Sequence, residues 1–443
     1  MGKLIVSSTL IRGGTLLTMR DGARAERGDI LIVGSRIEEV GRVESRADSE
    51  IVDASGCYVM PGLVQTHVHL VQTLMRGAAE DLPLLDWLRR RIWPLEAAHD
   101  EASLRASARL GLHELLVTGT TSVLDMGTSH GGDVVAEELA SSGIRARFGQ
   151  AMMDAGDGVP QRLLESTRAS LDASAALRAR WHGHAGGRLG YAYAPRFALS
   201  CTRELLEAVA VLSRMTGTLV HTHSNENADE RVLVETTTGR APVAYLDEVG
   251  LLSERAVIAH GVHLDDAELR ILAGSGASIA HCPSSNLKLG SGIADVPRLR
   301  AARVNVGLGS DGAACSNRLD GFEEARLAAL LARSRGNAGA LTAGDVLLMA
   351  TRDGARALRL DDVGSLQTGF RADLVVVDGE RLAPGGDPAT RIVFGGGSRA
   401  VRDVMVHGEL LVRDGRPTRY DPGEVVAKAS EARSALHARA AVS

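Results

Sequence analysis

The chain lacks the features that mark secreted, membrane-spanning and nucleic-acid-binding proteins. Its 443 residues include only 4 cysteines, none in CxxC spacing, which fits reduced thiols and argues against a disulfide framework or a zinc–cysteine site. No apolar run reaches the ~18 residues that cross a bilayer, and no secretory leader is recognisable at the N-terminus. Arginine and lysine form no extended cluster and the net charge is −5, so neither a nucleic acid nor an anionic membrane is indicated as a partner. We therefore expect a soluble, cytoplasmic protein.

Short strand and helix patterns are abundant in the chain. Glycine-punctuated β-branched runs fill the first sixty residues and return in VGSLQTGFRADLVVVDG and RDVMVHGELLVRDGRP, which is typical of antiparallel strands with tight turns. Between these flanks, strand followed by helix repeats; Ser103 to Thr118, for example, has helical apolar spacing and precedes the apolar strand TTSVLDMG. We predict three parts: a small β-sandwich from 1–60 and 363–420, a catalytic barrel over 61–362, and a helical segment over 421–443.

Eight strand candidates in the central part predict an α/β fold of the (β/α)8 barrel type. The stretch from His69 to Asp311 is close to the ~250 residues that such a barrel needs. An open, doubly wound sheet is the alternative, but no GxGxxG follows an early strand. Polar residues also recur at the C-terminal ends of the predicted strands, and in a barrel these ends form the one face where catalytic groups collect.

Histidines separated by one residue indicate a metal site. His67 and His69 in GLVQTHVHL end a strand, so both side chains point to the same face and can bind one ion. His182 and His184 in RWHGHAGG form a similar pair, but they precede a strand within a glycine-rich connection. We interpret the second pair as a solvated loop.

A third histidine pair lies in HTHSNENADE. His223 would supply a third imidazole, and Glu226 lies near enough in sequence to hold and deprotonate a metal-bound water. His221 should lie on the same face one pleat deeper, so His221 could be the ligand in place of His223. The alternative for Glu226 is a solvated residue at the start of a helix, a description that fits Glu230 and Glu235 better.

Two more strand ends complete the candidate site. His260 in AHGVH could be a ligand, an acid–base group or an oxyanion partner, whereas His263 is predicted in the following turn. Asp311 in GLGSDGAACSN lies between glycines; aspartate is common before glycine in turns, but here it also offers a fourth donor. Nitrogen and oxygen donors suit Zn²⁺, our default, or Fe, Mn or Co. A bound ion lowers the pKa of water from ~15.7 towards ~7, which indicates hydrolytic attack on an electrophilic carbon.

Together these motifs resemble the amidohydrolase superfamily, in the branch of aminohydrolases and chlorohydrolases of purines, pyrimidines and triazines. The resemblance runs nearly end to end, through PGLVQTHVHL, HSNE, AHGVHL, HCPSSNLKLGSGIA, LGSDGAACSN and GSLQTGFRADLVVVD. It implies a barrel with a small β-sandwich and one divalent ion. The implied metal ligands are His67, His69, His223 and Asp311. It also implies that Glu226 moves protons and that His260, with Asp311, orients or polarises the attacked position.

Some members of this family bind two ions bridged by a carboxylated lysine on the fourth strand. The lysines of this chain are Lys3, Lys288 and Lys428, and the fourth predicted strand, GRLGYAYAP, contains none of them. The resemblance therefore implies a single ion.

Within the branch, LMRGAAEDLPLLDWL and IWPLE are similar to deaminases that act on the adenine of S-adenosylhomocysteine, methylthioadenosine or 5′-deoxyadenosine. The similarity implies that Glu96 and Arg162 contact the ribose and that adenine C6 is deaminated to an inosine analogue plus ammonia. Where S-adenosylhomocysteine deaminases carry Gly-Pro-His, this chain has Ala-Pro-Arg196, which looks more like the 5′-deoxyadenosine deaminase group. Trp87 is either a lid over the substrate or a helix anchor.

Several alternatives stay open at this point. The residues of HCPSSN, namely His281, Ser284, Ser285 and Asn286, either touch the substrate or only shape a loop. The substrate is a small heterocycle or nucleoside, and an s-triazine or an oxidised or ordinary guanine is the second reading. An inactive scaffold protein is the third, although its signature would be lost ligands. The resemblance implies a homo-oligomer, and the Ala-rich helix after Glu424 could pack on a neighbouring subunit or on its own barrel.

Overall fold

The first part of the chain forms five strands. The computed structural model describes residues 8–44 and 49–441; Lys3 and the parts of the predicted domains at 1–7, 45–48 and 442–443 lie outside them. The strands are β1 (Ser8–Leu17), β2 (Ala25–Val33), β3 (Arg36–Gly41), β4 (Ser49–Asp53) and β5 (Cys57–Pro61). β1 pairs antiparallel with β2 and parallel with β4 and β5. Its register shifts around Gly13, whose φ of +76° favours glycine.

The central part of the chain closes into a parallel barrel. Its strands are β6 (Leu63–His69), β7 (Thr120–Asp125), β8 (Arg145–Phe148) with its continuation β9 (Ala151–Met152), β10 (Leu189–Pro195), β11 (Leu219–Ser224), β12 (Ala256–His260), β13 (Ser278–His281), and β14 (Asn305–Leu308) with its continuation β15 (Asp311–Gly312). Each strand pairs in parallel with the next, β8 with β10 and β10 with β11. Pairing of Leu308 with Gln65 and of Asp311 with Val68 joins the eighth strand to the first. The predicted (β/α)8 barrel is confirmed.

The end of the chain returns to the first sheet. Its strands are β16 (Leu374–Asp378), β17 (Val401–Val406), β18 (Glu409–Arg413) and β19 (Arg416–Pro417). Because β16 pairs antiparallel with β5, the described residues of both flanks build one mixed sheet of nine strands. The prediction that the two chain ends form one β domain is confirmed. A buried ion pair between Arg145 of the barrel and Asp373, with 2.6 Å between Nε and Oδ2, ties the two sheets together. The domain bounds given above stay a prediction.

Helices connect the barrel strands and end the chain. They are α1 (Leu84–Trp87), α2 (Trp93–Ala97), α3 (Glu101–Val117), α4 (Gly132–Ser142), α5 (Thr167–Trp181), α6 (His184–Gly187), α7 (Arg203–Thr216), α8 (Ala228–Thr238), α9 (Pro242–Glu248), α10 (Asp266–Ser275), α11 (Pro283–Lys288), α12 (Val296–Ala301), α13 (Ala313–Ser316), α14 (Gly321–Arg333), α15 (Ala343–Met349), α16 (Arg352–Ala357), α17 (Pro388–Gly395) and α18 (Pro422–Ala440). α3 begins slightly earlier than its apolar pattern predicts because Asp100 and Ser103 form a capping box. Within the described residues, no helix combines the length and apolar character needed to cross a membrane.

The C-terminal helix α18 packs on its own barrel, against α3 and α2. Its Leu436 is buried in an apolar cluster that also contains Trp87 and Trp93. Near its end, Arg439 forms an ion pair with Asp100, 3.0 Å between Nη1 and Oδ2. α18 therefore supports the segment between β6 and α3, which carries two of the predicted substrate contacts.

Candidate active site

Three imidazoles and one carboxylate converge at the C-terminal end of the barrel. The residues are His67, His69, His223 and Asp311, and their potential ligand atoms all lie within 4.8 Å of one another. His69 Nε2 is 3.2 Å from His223 Nε2 and 3.5 Å from Asp311 Oδ1, and His67 Nε2 is 3.2 Å from the same oxygen. The ligands of a tetrahedral zinc ion, with bonds of ~2.0–2.2 Å, lie ~3.3–3.6 Å apart. The spacing of the donor atoms thus fits one small divalent ion.

The chemical state of these side chains also fits metal binding. His67 Nε2 is buried and has no hydrogen-bond partner, so a metal bond would satisfy it. Burial, and then the neighbouring His67, hold the pKa of His69 and of His223 well below the usual value, which keeps these imidazoles neutral. Burial alone would raise the pKa of Asp311, but the surrounding histidines, His67 foremost, bring it well below its usual range. Neutral imidazoles and an ionised carboxylate are the forms that ligate metal ions.

Hydrogen bonds behind the cluster orient the rings. His67 Nδ1 lies 2.8 Å from His221 Nε2, and His223 Nδ1 donates to the backbone oxygen of Arg196 at 2.7 Å. Each bond leaves the Nε2 atom of the inner ring facing the cluster, as such outer contacts do in metal sites. Of the two candidates on β11, the structure therefore brings His223 to the cluster and sets His221 behind His67.

Glu226 and His260 lie beside this cluster. His260 Nε2 is 3.4 Å from Glu226 Oε2 and 3.9 Å from Asp311 Oδ2, and its Nδ1 donates to Asn286 Oδ1 at 2.9 Å. Burial, and then the charge of Asp311, raise the pKa of Glu226 well above its usual range. Burial lowers the pKa of His260 to about 4, so this ring is neutral. A carboxyl group that can hold a proton next to a neutral imidazole is suited to proton transfer.

The backbone is strained at three positions in the same site. Asn225, His260 and Asp311 all have φ between +56° and +77°, the left-handed region that non-glycine residues rarely adopt. Strained backbone of this kind persists only where the surroundings hold it, and it clusters at functional sites. At Asn225 the side chain is held by the backbone oxygen of His263 at 2.9 Å and by Glu268 at 3.0 Å.

Glu230 is a residue of the site that the sequence analysis missed. We predicted it on a solvated helix face, which is wrong: its side chain is 1% exposed, whereas Glu235 is exposed as predicted. Glu230 Oε2 accepts hydrogen bonds from the backbone N–H of Glu226 at 2.7 Å and of Asn227 at 3.3 Å. Burial raises its pKa to about 7. The available signal was the spacing Asn227-x-x-Glu230, which is that of a capping box.

The HCPSSN segment contacts the site through α11. Ser285 Oγ donates to Asp311 Oδ2 at 2.7 Å, next to the Asn286 bond to His260. The backbone N–H of Ser284 donates to Glu324 at 3.1 Å. His281 is buried, and burial lowers its pKa to about 3.

The cavity above the cluster has an apolar wall and one buried ion pair. Leu84, Trp87 and Phe197 line it together with Arg196. Arg196 binds Glu96 through two hydrogen bonds, of 2.5 Å from Nη1 to Oε2 and 3.1 Å from Nη2 to Oε1. Trp87 is both a cavity-lining residue and part of the apolar cluster under α18.

Other predicted residues lie apart from this cavity. Arg162 is exposed and donates to the backbone oxygen of His99 at 2.9 Å. His182 and His184 are exposed, as predicted for a solvated loop. His263 lies in the turn after β12, where its Nε2 is 2.7 Å from the backbone oxygen of Ser291.

Comparison with known proteins gives a consistent picture. A model of the amidohydrolase family matches residues 58–411. A 5-methylthioadenosine/S-adenosylhomocysteine deaminase from Halobacterium salinarum is 37% identical over 439 residues, covering 98% of this chain and 100% of the relative. A 5′-deoxyadenosine deaminase from Methanothermobacter thermautotrophicus is 39% identical over 412 residues, covering 92% and 94%. Both similarities extend over nearly the whole of each chain.

Solved structures show the same likeness. An adenosine deaminase from Xanthomonas campestris with bound zinc superimposes with a TM-score of 0.91 at 31% identity, covering 98% of this chain and 99% of that one. An atrazine chlorohydrolase from Arthrobacter aurescens in complex with zinc superimposes with a TM-score of 0.89 at 29% identity, covering 96% and 100%. The predicted architecture and the predicted family resemblance are confirmed.

Proposed function

Since the chain belongs to the amidohydrolase family, we propose that it is a divalent-metal-dependent aminohydrolase of 5′-modified adenosines. It removes the amino group at adenine C6 and releases the inosine analogue and ammonia. The observation that carries this function is the metal-ligand cluster with a proton-holding carboxyl, Glu226, and a neutral imidazole, His260, at its edge. An inactive scaffold is not favoured, because the full set of donors is present.

The sequence similarity to known proteins favours purine nucleosides over triazines as substrates. The two deaminase relatives are 37% and 39% identical to the chain, whereas the atrazine chlorohydrolase is a structural neighbour at 29% identity. The curated deaminases differ in the 5′ group named for them. The apolar cavity wall formed by Leu84, Trp87 and Phe197 supports a small apolar 5′ group, as in 5′-deoxyadenosine or methylthioadenosine.

Zn²⁺ is the metal we propose. His67, His69, His223 and Asp311 would hold it, and the spacing of their donor atoms supports one small divalent ion. Such an ion supplies Lewis acidity, which makes water acidic enough to act as a nucleophile near neutral pH. The zinc in the Xanthomonas campestris neighbour supports the same choice.

Glu226 is proposed to carry the proton that the reaction moves. Water adds to C6, N1 must gain a proton, and the amino group must leave as ammonia. Because its pKa is raised, Glu226 can accept the proton lost by the attacking water, hold it at neutral pH and deliver it to N1. The geometry supports this role, since Glu226 lines the cavity together with Asp311.

His260 and Asp311 are proposed to position the attacking oxygen. Because His260 Nδ1 donates to Asn286, its Nε2 carries a lone pair towards Glu226 and Asp311. That lone pair can accept a hydrogen bond from the hydroxyl group of the tetrahedral adduct. Loss of ammonia then leaves the C6 carbonyl of the inosine-type product.

The proposed substrate contacts rest on the family resemblance. Glu96 and Arg196 are proposed to meet the ribose or the 5′ group, and their pairing implies that the substrate binds to both partners at once. Trp87 is proposed to cover the base. Arg162 and His281 are retained as predicted contacts, and a homo-oligomer is retained as the predicted assembly.

Ammonia release tests the proposal. Zinc-loaded protein is given 5′-deoxyadenosine, adenosine, methylthioadenosine, S-adenosylhomocysteine, 8-oxoguanine and an amino-triazine in parallel. We expect turnover of the adenosine analogues, fastest with 5′-deoxyadenosine or methylthioadenosine. Turnover of the triazine or the guanine alone, by metal-loaded protein, would overturn the proposed substrate.

A further inference from the structure

A second group of donor atoms converges next to the first metal-ligand cluster. Glu226, His260 and Asp311 each offer one potential ligand atom, and the three atoms lie within 4.8 Å of one another. All three side chains are buried, none more than 5% exposed. One imidazole and two carboxylates form a donor set that divalent ions such as Zn²⁺ and Mn²⁺ accept.

The carboxylate of Asp311 divides its two oxygens between the two groups. Oδ1 lies 3.2 Å from His67 Nε2 and accepts the backbone N–H of Gly312 at 2.7 Å. Oδ2 points the other way, 3.9 Å from His260 Nε2, and accepts the hydroxyl of Ser285 at 2.7 Å. A carboxylate with one oxygen in each group can bridge two ions.

His260 supplies an independent sign that a ligand belongs here. Its Nε2 is buried, has no hydrogen-bond partner and is aimed at the two carboxylates. Since Nδ1 donates to Asn286, Nε2 is the nitrogen with the free lone pair, as a metal-ligating imidazole requires.

We propose that Glu226, His260 and Asp311 form a second divalent-cation site, which shares Asp311 with the first and switches the enzyme off when it fills. The site is weaker than the first because it has three protein donors, one of them shared, and because two ions on one carboxylate repel each other. No lysine lies on β10 to serve as a second bridge. The switch rests on the proposed function: an ion on Glu226 and His260 occupies the groups that must move the proton and hold the attacking oxygen.

Metal stoichiometry tests the site without reference to turnover. Metal-free full-length protein is dialysed against rising free Zn²⁺ or Mn²⁺, and bound metal is measured by elemental analysis. We expect a first equivalent and then a second, looser one. His260→Asn and Glu226→Gln should lose the second equivalent and keep the first. His263→Asn and Glu235→Gln, matched changes outside both groups, should keep both.

Spectroscopy of the unaltered protein covers the case in which a variant folds poorly. Two Mn²⁺ ions bridged by one carboxylate give a spin-coupled electron paramagnetic resonance spectrum, which we expect only above one equivalent. Either of two results would overturn the site. One is metal binding that stops at one equivalent. The other is a second equivalent that shows no spin coupling and that both His260→Asn and Glu226→Gln still bind.

Activity separates this proposal from the proposed function. We expect deamination to rise with the first equivalent and to fall at least tenfold as the second binds. Binding of two equivalents, with no deamination of any nucleoside at one equivalent or at two, would refute the function and leave the site standing. Full deamination with two equivalents bound would refute the switch. Deamination by a protein that never binds a second equivalent would refute the site and leave the function standing.

Discussion

The metal-ligand cluster and the cavity wall above it are built in different ways. The cluster stands on strands of the closed barrel, so the backbone hydrogen bonds of the barrel hold its side chains in place. The wall comes from the segment between β6 and α3 and from the residues after β10, and it is held by side chains such as Glu96, Arg196 and those of α18. We infer that the strands determine the chemistry and that the wall determines which substrate reaches it.

Removing the proton carrier tests the cluster side of this comparison and has the largest expected effect. Glu226→Gln keeps the size of the side chain but cannot take a proton, so kcat should fall by ~10²–10⁴-fold, the usual share of general acid–base catalysis. The first, tightly bound equivalent of zinc should be kept. Nucleoside turnover and elemental analysis are the measurements.

The matched control is Glu235→Gln, an exposed change on α8, the helix that follows Glu226, and it should leave kcat unaltered. Retention of more than half of kcat in Glu226→Gln would contradict the role of this residue.

Breaking the buried ion pair tests the wall. Glu96→Gln leaves the Arg196 guanidinium buried without its carboxylate, which we expect to lower the free energy of unfolding by ~3–5 kcal/mol. The double variant Glu96→Gln/Arg196→Met removes both charges and should recover most of that loss. Denaturant unfolding measures both variants.

KM and zinc content of the same two variants test whether the wall acts independently of the cluster. KM for adenosine analogues should rise in both, whereas zinc content should not change. Loss of zinc in Glu96→Gln would show that the wall and the cluster are not independent.

The cluster stands on strands and the wall is held by side chains, and this difference explains how much of each region the sequence predicts. The HxH pattern on a strand places two side chains on one face, so His67 and His69 could be identified without knowledge of distant residues. The pairing of Glu96 with Arg196 joins residues that are remote in sequence, and no local periodicity encodes it. Glu230 was missed for another reason: a glutamate in the first turn of a helix has the same local pattern whether it is solvated or caps buried backbone groups.

Glu230 joins the two regions, and its truncation should have an intermediate effect. Glu230→Ala removes the acceptor of the Glu226 and Asn227 N–H groups, so the Glu226 carboxyl loses its fixed position and kcat should fall about tenfold, or ~1.4 kcal/mol. KM and zinc content should not change. Glu230→Gln should recover most of kcat, because its amide oxygen still accepts these bonds. A raised KM with full kcat in Glu230→Ala would instead make this residue part of the wall.

His99 gives the smallest effect and tests whether the wall responds to pH by itself. The ring is buried between Val71 and Ser103, 2.9 Å from the Val71 backbone oxygen and 3.0 Å from Ser103 Oγ, and burial lowers its pKa to about 4. An unfolded chain binds a proton at this histidine near its ordinary pKa of ~6.5, whereas the folded chain does so only near 4. Its contribution to stability is therefore complete above ~6.5 and is lost as pH falls towards 4.

His99→Gln should reduce the dependence of the unfolding free energy on pH between 6 and 4.5 by about one proton, ~1.4 kcal/mol per pH unit. The comparison is made on zinc-loaded protein, so that the neighbouring metal-ligand histidines contribute equally to both curves. His184→Gln, a change of an exposed histidine, serves as the matched control and should leave the slope nearly unaltered. An unaltered slope in His99→Gln would mean that His99 is already ionised in the folded protein. The segment that bears Glu96 would then be anchored by a charge, and its hold on the substrate would be sensitive to salt.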